Sequence, residues 1–268
     1  MADYTGFLCS SEYEEKAMSA FAYYIKRKIK WERFRLNGVL DERLERFLLE
    51  FDSKEFDTVE LTQTGCPYIN LPSSWDQYLT ASLGPKTRRN VRRSFTEMEN
   101  VDDLTVTVAD KTNLVPQVDA LLALWQKRWG SKQRNYLDHI HNVFESCHHN
   151  DCLRIMLLWD MNTPVAGVAS FPDRHRQTIF EFFNCYNASY TQIRSPGQLA
   201  VAHNIRYAID HGFQKYDFLR GDEKYKYALG AEERYASNVI ILRKALGTKL
   251  RILADRGLAR IERFKAFE

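Results

Sequence analysis

The sequence predicts an α+β (mixed α/β) fold, and three observations predict it. Apolar, strand-sized runs at 152–159, 164–171 and 176–186 follow one another with only turns between them. A helical stretch at 196–211 then leads to one further strand, 215–219. Amphipathic helical spacing at 86–98, 113–129 and 134–148 supplies elements that can cover a sheet. Strands grouped as hairpins, followed by a helix and a lone strand, depart from the strict βαβ alternation of an all-parallel sheet.

Residues 12–30 have the spacing of an amphipathic helix, and WERFRLNGV at 31–39 alternates as a strand does. Leu44, Phe47, Leu48 and Phe51 return the pattern to a helix over 41–51, and strands follow at 57–62 and 66–71. Pro72-Ser73-Ser74 breaks the chain, with Ser74 placed to cap a short helix from Trp75. Gly84-Pro85 makes a second break before the helix at 86–98. LTVTVA at 104–109 has the period of two of a strand, and Asp160 to Pro164 carries hairpin-turn chemistry. Gly212 ends the helix that starts at 196, and a strand at 235–242 precedes a basic helical stretch at 244–266. The breaks place a domain boundary between Pro72 and Pro85, giving a first domain of 1–72 and a second of 73–268.

A length of 268 residues suits one large or two modest domains with real cores. Thirty-eight basic against 35 acidic side chains leave +3, so bulk charge does not argue for nucleic acid and any anion site must rest on a local cluster. The start, MADYTGFLCSSEYEE, lacks the basic and apolar regions of a secretory signal. Apolar stretches such as IMLLW at 155–159 and VIIL at 239–242 are strand-sized and too short to span a bilayer. Five cysteines without a CxxC pair fit reduced thiols, so a cytoplasmic protein is expected. Repeats of 20–50 residues and low-complexity tracts are absent from the sequence, which excludes solenoids.

Several clusters can carry chemistry. In RSPGQLAVAHNIRYAIDHG at 194–212, Ser195 stands at an N-cap, Pro196 at the first helical position and Gln198 where a capping box takes Glu or Gln. Gly197 leaves the first turn bare and Arg194 adds a positive charge ahead of the helix dipole, a combination that suits a phosphate. A well-capped helix that tolerates a glycine explains the same residues. In KTRRNVRRSF at 86–95, Arg88, Arg89, Arg92 and Arg93 share one face while Val91, Phe95 and Met98 share the other. Guanidinium forks match phosphates or a polyanionic substrate, whereas a solvated face paired with acids elsewhere is the plainer reading.

HIHNVFESCHHNDC at 139–152 gathers His139, His141, Cys147, His148, His149 and Cys152, but at no common zinc spacing, so no metal site is assigned. YDFLRGDEKYKYALG at 216–230 is the densest cluster. An apolar strand ends there by delivering Arg220, Gly221, Asp222, Glu223, Tyr225 and Lys226 to the carboxyl end of the sheet, where open sheets bind ligands. Neighbouring acids and bases in a cleft can tune a base or place a cation near a developing oxyanion; a salt-bridged loop closing the sheet is the alternative.

The ordered runs WDQYLTASLGPKTRRNVRRSF, PVAGVASF and FFNCYNASYTQIRSPGQLAVAHNIRYAIDHGFQKYDFLRGDEKYKYALG resemble the CelD-like acyltransferases of the GNAT superfamily, associated with cellulose or exopolysaccharide biosynthesis. The FemAB peptidyltransferases are more distant relatives with a similar ending of Asp, then Tyr/Phe-Lys, then Gly. The resemblance covers residues 70 to 245. It implies a GNAT-like fold with a central mixed, largely antiparallel sheet flanked by helices, preceded in 1–72 by a partial, degenerate GNAT-like unit that lacks its front half. In the superfamily the acetyl-CoA pyrophosphate binds a Gln/Arg-x-x-Gly-x-Gly/Ala turn. Arg194, Ser195, Gly197 and Gln198 match its first part, while Leu199 replaces the final small residue.

The resemblance therefore implies a GNAT-type acyltransferase. It moves an acyl group, acetyl from acetyl-CoA first among them, to an amine or hydroxyl of a sugar-related or other small acceptor by direct attack in a ternary complex. Asp217, Glu223 or Glu181 are candidates for the base, and Tyr225 or Lys226 for steadying the oxyanion or protonating the leaving thiolate. Arg88, Arg92, Tyr186 and Arg220 are candidates for binding substrate. Cys185 reads as strand packing, because no histidine stands beside it in the sequence. Two other readings stay open: a FemAB-like transferase that takes its donor from aminoacyl-tRNA, and a non-catalytic scaffold of polysaccharide biosynthesis. A homo-oligomer is compatible with all of them.

Overall fold

Alternation in RFRLNGV and in FDTVELTQTG calls for strands with one buried face, and the computed structural model, which describes residues 3–130 and 134–244, has them. Strands are numbered along the chain. In one unit β1 (Arg33–Val39) and β2 (Phe56–Gly65) flank β9 (Tyr235–Arg243), all antiparallel. Met18 and Ala22 of helix α1 (Glu14–Lys28), Phe47 of α2 (Leu44–Leu49), Phe51, Phe56 and Ile241 share its core. This unit comprises the described parts of Met1–Cys66 and Arg234–Glu268, and Pro67–Glu233 forms the other. The sequence reading assigns 235–242 to the second domain; here Val239–Leu242 pair with β1 on one side and β2 on the other. The helical stretch read at 244–266 lies outside the described residues beyond Lys244.

RIMLLW is apolar at consecutive positions, and a strand of that kind must be covered on both faces. It forms β5 (Arg154–Asp160) in a six-stranded sheet with β3 (Tyr68–Asn70), β4 (Leu104–Val108), β6 (Thr163–Asp173), β7 (Thr178–Tyr186) and β8 (Lys215–Asp217). The order is β3-β8-β7-β6-β5-β4, antiparallel except between β7 and β8. Two short helices, α3 (Trp75–Gln77, its Gln77 N–H donated to the Ser74 hydroxyl at 3.2 Å) and α8 (Lys224–Ala228), belong to the same unit.

Four longer helices cover the sheet. Met156, Leu158, Val168, Ile179 and Tyr216 face α4 (Pro85–Glu99) and α7 (Pro196–Asp210), which contribute Val91, Leu199, Ala202, Ile205 and Ile209. Ile155, Leu157, Ala169, Phe183 and Cys185 face α5 (Leu114–Trp129) and α6 (Arg134–His149), which contribute Leu121, Leu122, Ile140 and Phe144. The mixed, helix-flanked sheet is the one the sequence predicts. Among the described residues no helix is long and apolar enough to cross a membrane.

Two irregularities position the site. Ala169 pairs with Phe183 but Ser170 pairs with Glu181, so Phe182 is an extra residue in β7. The bulge flips the alternation, letting Glu181 face α7 while Phe183 and Cys185 face α5. The second irregularity is a fork. β7 and β8 pair only at Thr178–Lys215, Ile179–Tyr216 and Phe180–Asp217, after which β7 runs on paired with β6 but not with β8. The strand read at 215–219 stops at Asp217 because Leu219 takes a left-handed φ of 55°.

Candidate active site

Glu181 begins the stretch of β7 that β8 no longer covers, and it is buried. The Tyr216 hydroxyl donates to Glu181 Oε2 at 2.6 Å and the Tyr225 hydroxyl to Oε1 at 3.3 Å. Burial pushes the carboxyl up to about 7; the Tyr216 bond, the Lys226 charge and the Tyr225 bond pull the other way, and Glu223 adds to the rise. Both phenols are pushed well above their ordinary value, chiefly by burial and by the Glu181 charge. A carboxylate poised at neutral pH, with one phenol buried behind it and one half-exposed in front, can accept a proton from a group outside.

The chain from 217 to 226 is the wall of this site. Asp217 is buried and its Oδ1 accepts from Leu219 N at 2.9 Å, which holds the left-handed turn; Gly221 follows with φ 112°. Lys226 is 3% exposed, and its ammonium donates to the carbonyls of Phe218, Arg220 and Gly221 at 3.1–3.3 Å. It also pairs with Glu223 at 2.7 Å. Three ammonium hydrogens thus meet four acceptors. Among the acids and bases singled out in the sequence, the fold gathers Glu181, Glu223, Tyr225 and Lys226 in one place, with Glu181 the buried carboxylate in contact with a phenol on either side.

The turn at 194–198 lies elsewhere along β7. The Ser195 hydroxyl does not cap α7, so the first-turn N–H groups of Gly197 and Gln198 have no capping side chain. Arg194 is exposed, and its N–H meets Glu97 Oε2 at 3.4 Å, a carboxylate already paired with Arg93 at 2.7 Å. Gly197 is buried, and a Cβ there would stand 2.6 Å from the ring of Tyr186. The missing side chain therefore admits the tyrosine, which the Arg128 guanidinium covers at 4.2 Å. Tyr186 lies five residues beyond Glu181, roughly 16 Å along an extended strand.

On α4, Arg89, Arg92 and Arg93 are exposed and Arg88 is half-buried, while Val91 enters the core and Phe95 and Met98 pack against it. Arg93 holds Glu97, as the solvated-face reading requires. Among the described residues no three His, Cys, Asp or Glu side chains converge as metal ligands; His141 stands between Asp119 and Glu145. Cys185 is buried with its thiol pushed up to about 12 by burial.

Three residues that sequence reasoning passed over reach this site: Arg154, Asn204 and Tyr216. The signal was there for two of them, a charge opening an apolar strand and an amide in the most buried stretch of a helix. Arg154 Nε donates to Asn204 Oδ1 at 3.0 Å, and Asn204 Nδ2 donates to Tyr216 Oη at 3.0 Å and Ser170 Oγ at 3.2 Å.

A largely antiparallel sheet with one parallel, forked strand pair and helices on both faces defines a GNAT fold. The chain belongs to the acetyltransferase (GNAT) domain family, which it matches over residues 85–227. Similar solved structures include FemX, at 13% identity and a TM-score of 0.64, with 93% of this chain and 81% of that one covered. The C-terminal domain of a proposed lysylphosphatidylglycerol synthetase from Agrobacterium fabrum gives 10%, 0.61, 96% and 79%. L-PGS from Bacillus licheniformis gives 10%, 0.56, 93% and 79%. At these identities the likeness is one of fold. A search among curated proteins gave no match.

Proposed function

We propose that this protein is an acyltransferase of the CelD-like kind, which moves an acyl group, acetyl in the first instance, from acyl-CoA to an amine or hydroxyl of a small or sugar-related acceptor. One observation carries the reading: a buried carboxylate, Glu181, stands at the fork of β7 and β8 with a pKa near neutrality and a half-exposed phenol on its outer oxygen.

The residues around the α7 N-terminus suit a phosphate-bearing donor. The helix lacks a capping side chain, Arg194 stands exposed beside it, and Glu97, the nearby anion, is neutralised by Arg93. Ser195, Gln198 and the Gly197 backbone would meet the phosphates. Acyl-CoA supplies the activated thioester. The chain supplies position and a route for the acceptor's proton: Tyr225 Oη takes that proton as its own passes to Glu181 Oε1. The acceptor's lone pair then forms the new bond to the acyl carbon while the bond to sulfur breaks, and the thiolate leaves and takes a proton from solvent. Lys226, Glu223 and Asp217 shape the wall rather than act as acid or base, since the Lys226 ammonium, one Glu223 oxygen and one Asp217 oxygen are engaged within the loop 217–226. Arg220, and Arg88 and Arg92 on α4, are the candidates for acceptor or donor contact.

The test is thermal unfolding with acetyl-CoA in the parent and in Arg194→Glu. Ligand at ten times its dissociation constant adds about 1.4 kcal/mol, which raises Tm by a few degrees for a chain of this size. The rise is expected in the parent and not in the variant. The exposed arginines of α4 favour one other donor, aminoacyl-tRNA. Absence of any shift at millimolar acetyl-CoA, together with tRNA binding that weakens steeply with salt and with Arg92→Glu, would establish that instead.

A further inference from the structure

Arg154 is 8% exposed and opens a strand that is apolar from Ile155 to Trp159. Its guanidinium stacks on the Tyr207 ring at 3.5 Å, and among the described residues no carboxylate lies within ion-pair distance. A buried charge without an acid beside it is costly, so the fold must compensate it some other way. Arg154 pairs across β5 and β6 with Ser170, and Ser170 across β6 and β7 with Glu181, so the cation and the acid stand in one row of the sheet. Asn204 of α7 and Tyr216 of β8 close over that row.

The directions of the hydrogen bonds follow from the ends. An arginine only donates, so the Asn204 atom facing it is the oxygen, and the amide nitrogen faces Tyr216 and Ser170. Tyr216 Oη accepts from that nitrogen, so its own hydrogen points at Glu181 Oε2, 2.6 Å away. Each donor in the sequence Arg154, Asn204, Tyr216 aims toward the carboxylate. Such a chain favours the anion, and reversing any link would leave two donors or two acceptors facing each other.

We propose that Arg154, Asn204 and Tyr216 form a one-way chain of donors that holds Glu181 ready to take a proton, making Arg154 and Asn204 positioning residues for that base. The proposal rests on the reading of Glu181 as the base. The other groups facing Glu181 act from different elements: Tyr225 and Lys226 on α8, Glu223 just before it, and Asn184 further along β7, whose side chain adjoins Tyr225. None of them touches Arg154, so the chain can be cut without disturbing them.

The experiment is a 13C NMR titration of the Glu181 side-chain carboxyl, assigned by its disappearance in Glu181→Gln, in the parent, Asn204→Ala and Arg154→Met. Far-UV circular dichroism and thermal unfolding at each pH verify that the variants are folded, and Arg154→Met keeps an apolar stem on Tyr207 should Asn204→Ala fail to fold. The Glu181 midpoint is expected to rise by about one pH unit or more in both folded variants, since each loses part of what stabilises the anion. Midpoints that stay within a few tenths of the parent's in a folded variant would overturn the chain. Midpoints that move while no acyl transfer is seen at any pH would leave the chain standing and remove the reading of Glu181 as the acyl-transfer base.

Discussion

The Tyr216 hydroxyl lies 2.6 Å from Oε2 of Glu181, and both groups are buried. The contact exists because Tyr216 is the middle residue of the short register of β8 against β7, one residue before the fork, and because the bulge at Phe182 turns Glu181 to the same face. A phenol alone does not make a carboxylate catalytic. Burial brings its pKa to about 7, which is what the proposed role as base requires.

Glu181 gives stability a pH dependence whose sign is fixed. Its folded value, about 7, lies above the unfolded value, 4.5, so between them the folded chain keeps a proton that the unfolded chain has lost. The contribution is full below the lower value, declines as pH rises, and is constant above the upper one. Glu181→Gln removes the decline, so the variant should gain on the parent between about pH 5 and pH 8, by on the order of 3 kcal/mol at most. Urea unfolding of both proteins at the two pH values measures this; a gap that does not change with pH contradicts it.

Lys226 should matter to the loop more than to any ligand. Lys226→Met leaves the carbonyls of Phe218, Arg220 and Gly221 without the ammonium and frees Glu223. The expected loss is about 2–4 kcal/mol. Hydrogen exchange should locate the loosening at 218–223. Unchanged Tm and exchange would show that the ammonium is free to act elsewhere.

Gly197 makes room for Tyr186. Gly197→Ala should cost about 1–3 kcal/mol by overpacking, and much less in a Tyr186→Ala background. Thermal unfolding of the four proteins closes the cycle. Equal costs in both backgrounds would mean that the glycine is needed for something other than the ring.

Gly230 and Gly212 share a left-handed φ, 87° and 75°, but only at Gly230 would a Cβ meet backbone, the Ser82 carbonyl at 2.7 Å. Gly212→Ala should therefore cost about 1 kcal/mol and Gly230→Ala at least about 2. Denaturant midpoints decide it, and equal losses would refute the difference.

Much of this architecture is legible in the chain because its signals are local. RIMLLW, the turn at Asp160 to Pro164 and Pro196 at the head of α7 each state an element within a few residues, and the elements observed agree with those spans to within a few positions. What was not legible is long-range. Nothing in YASNVIILR says that the strand sits between two others from the start of the chain, since a strand's partners are set by the whole fold. Glu181 could be named as a candidate but not ranked, because its burial depends on a one-residue bulge in FEFFNCY that the period of two conceals. Asn204 is hidden for a similar reason. It occupies a buried position of α7, and its partners Arg154, Ser170 and Tyr216 come from three different strands.

The measurement that bears most directly on the central claim is release of free thiol from acetyl-CoA in the presence of a panel of amines and amino sugars, followed against pH in the parent and in Glu181→Gln. The account predicts a rate in the parent that rises through about pH 7 and levels off, and a fall of about 100-fold or more in the variant. Thiol release that is equal in the two proteins and independent of pH would contradict it.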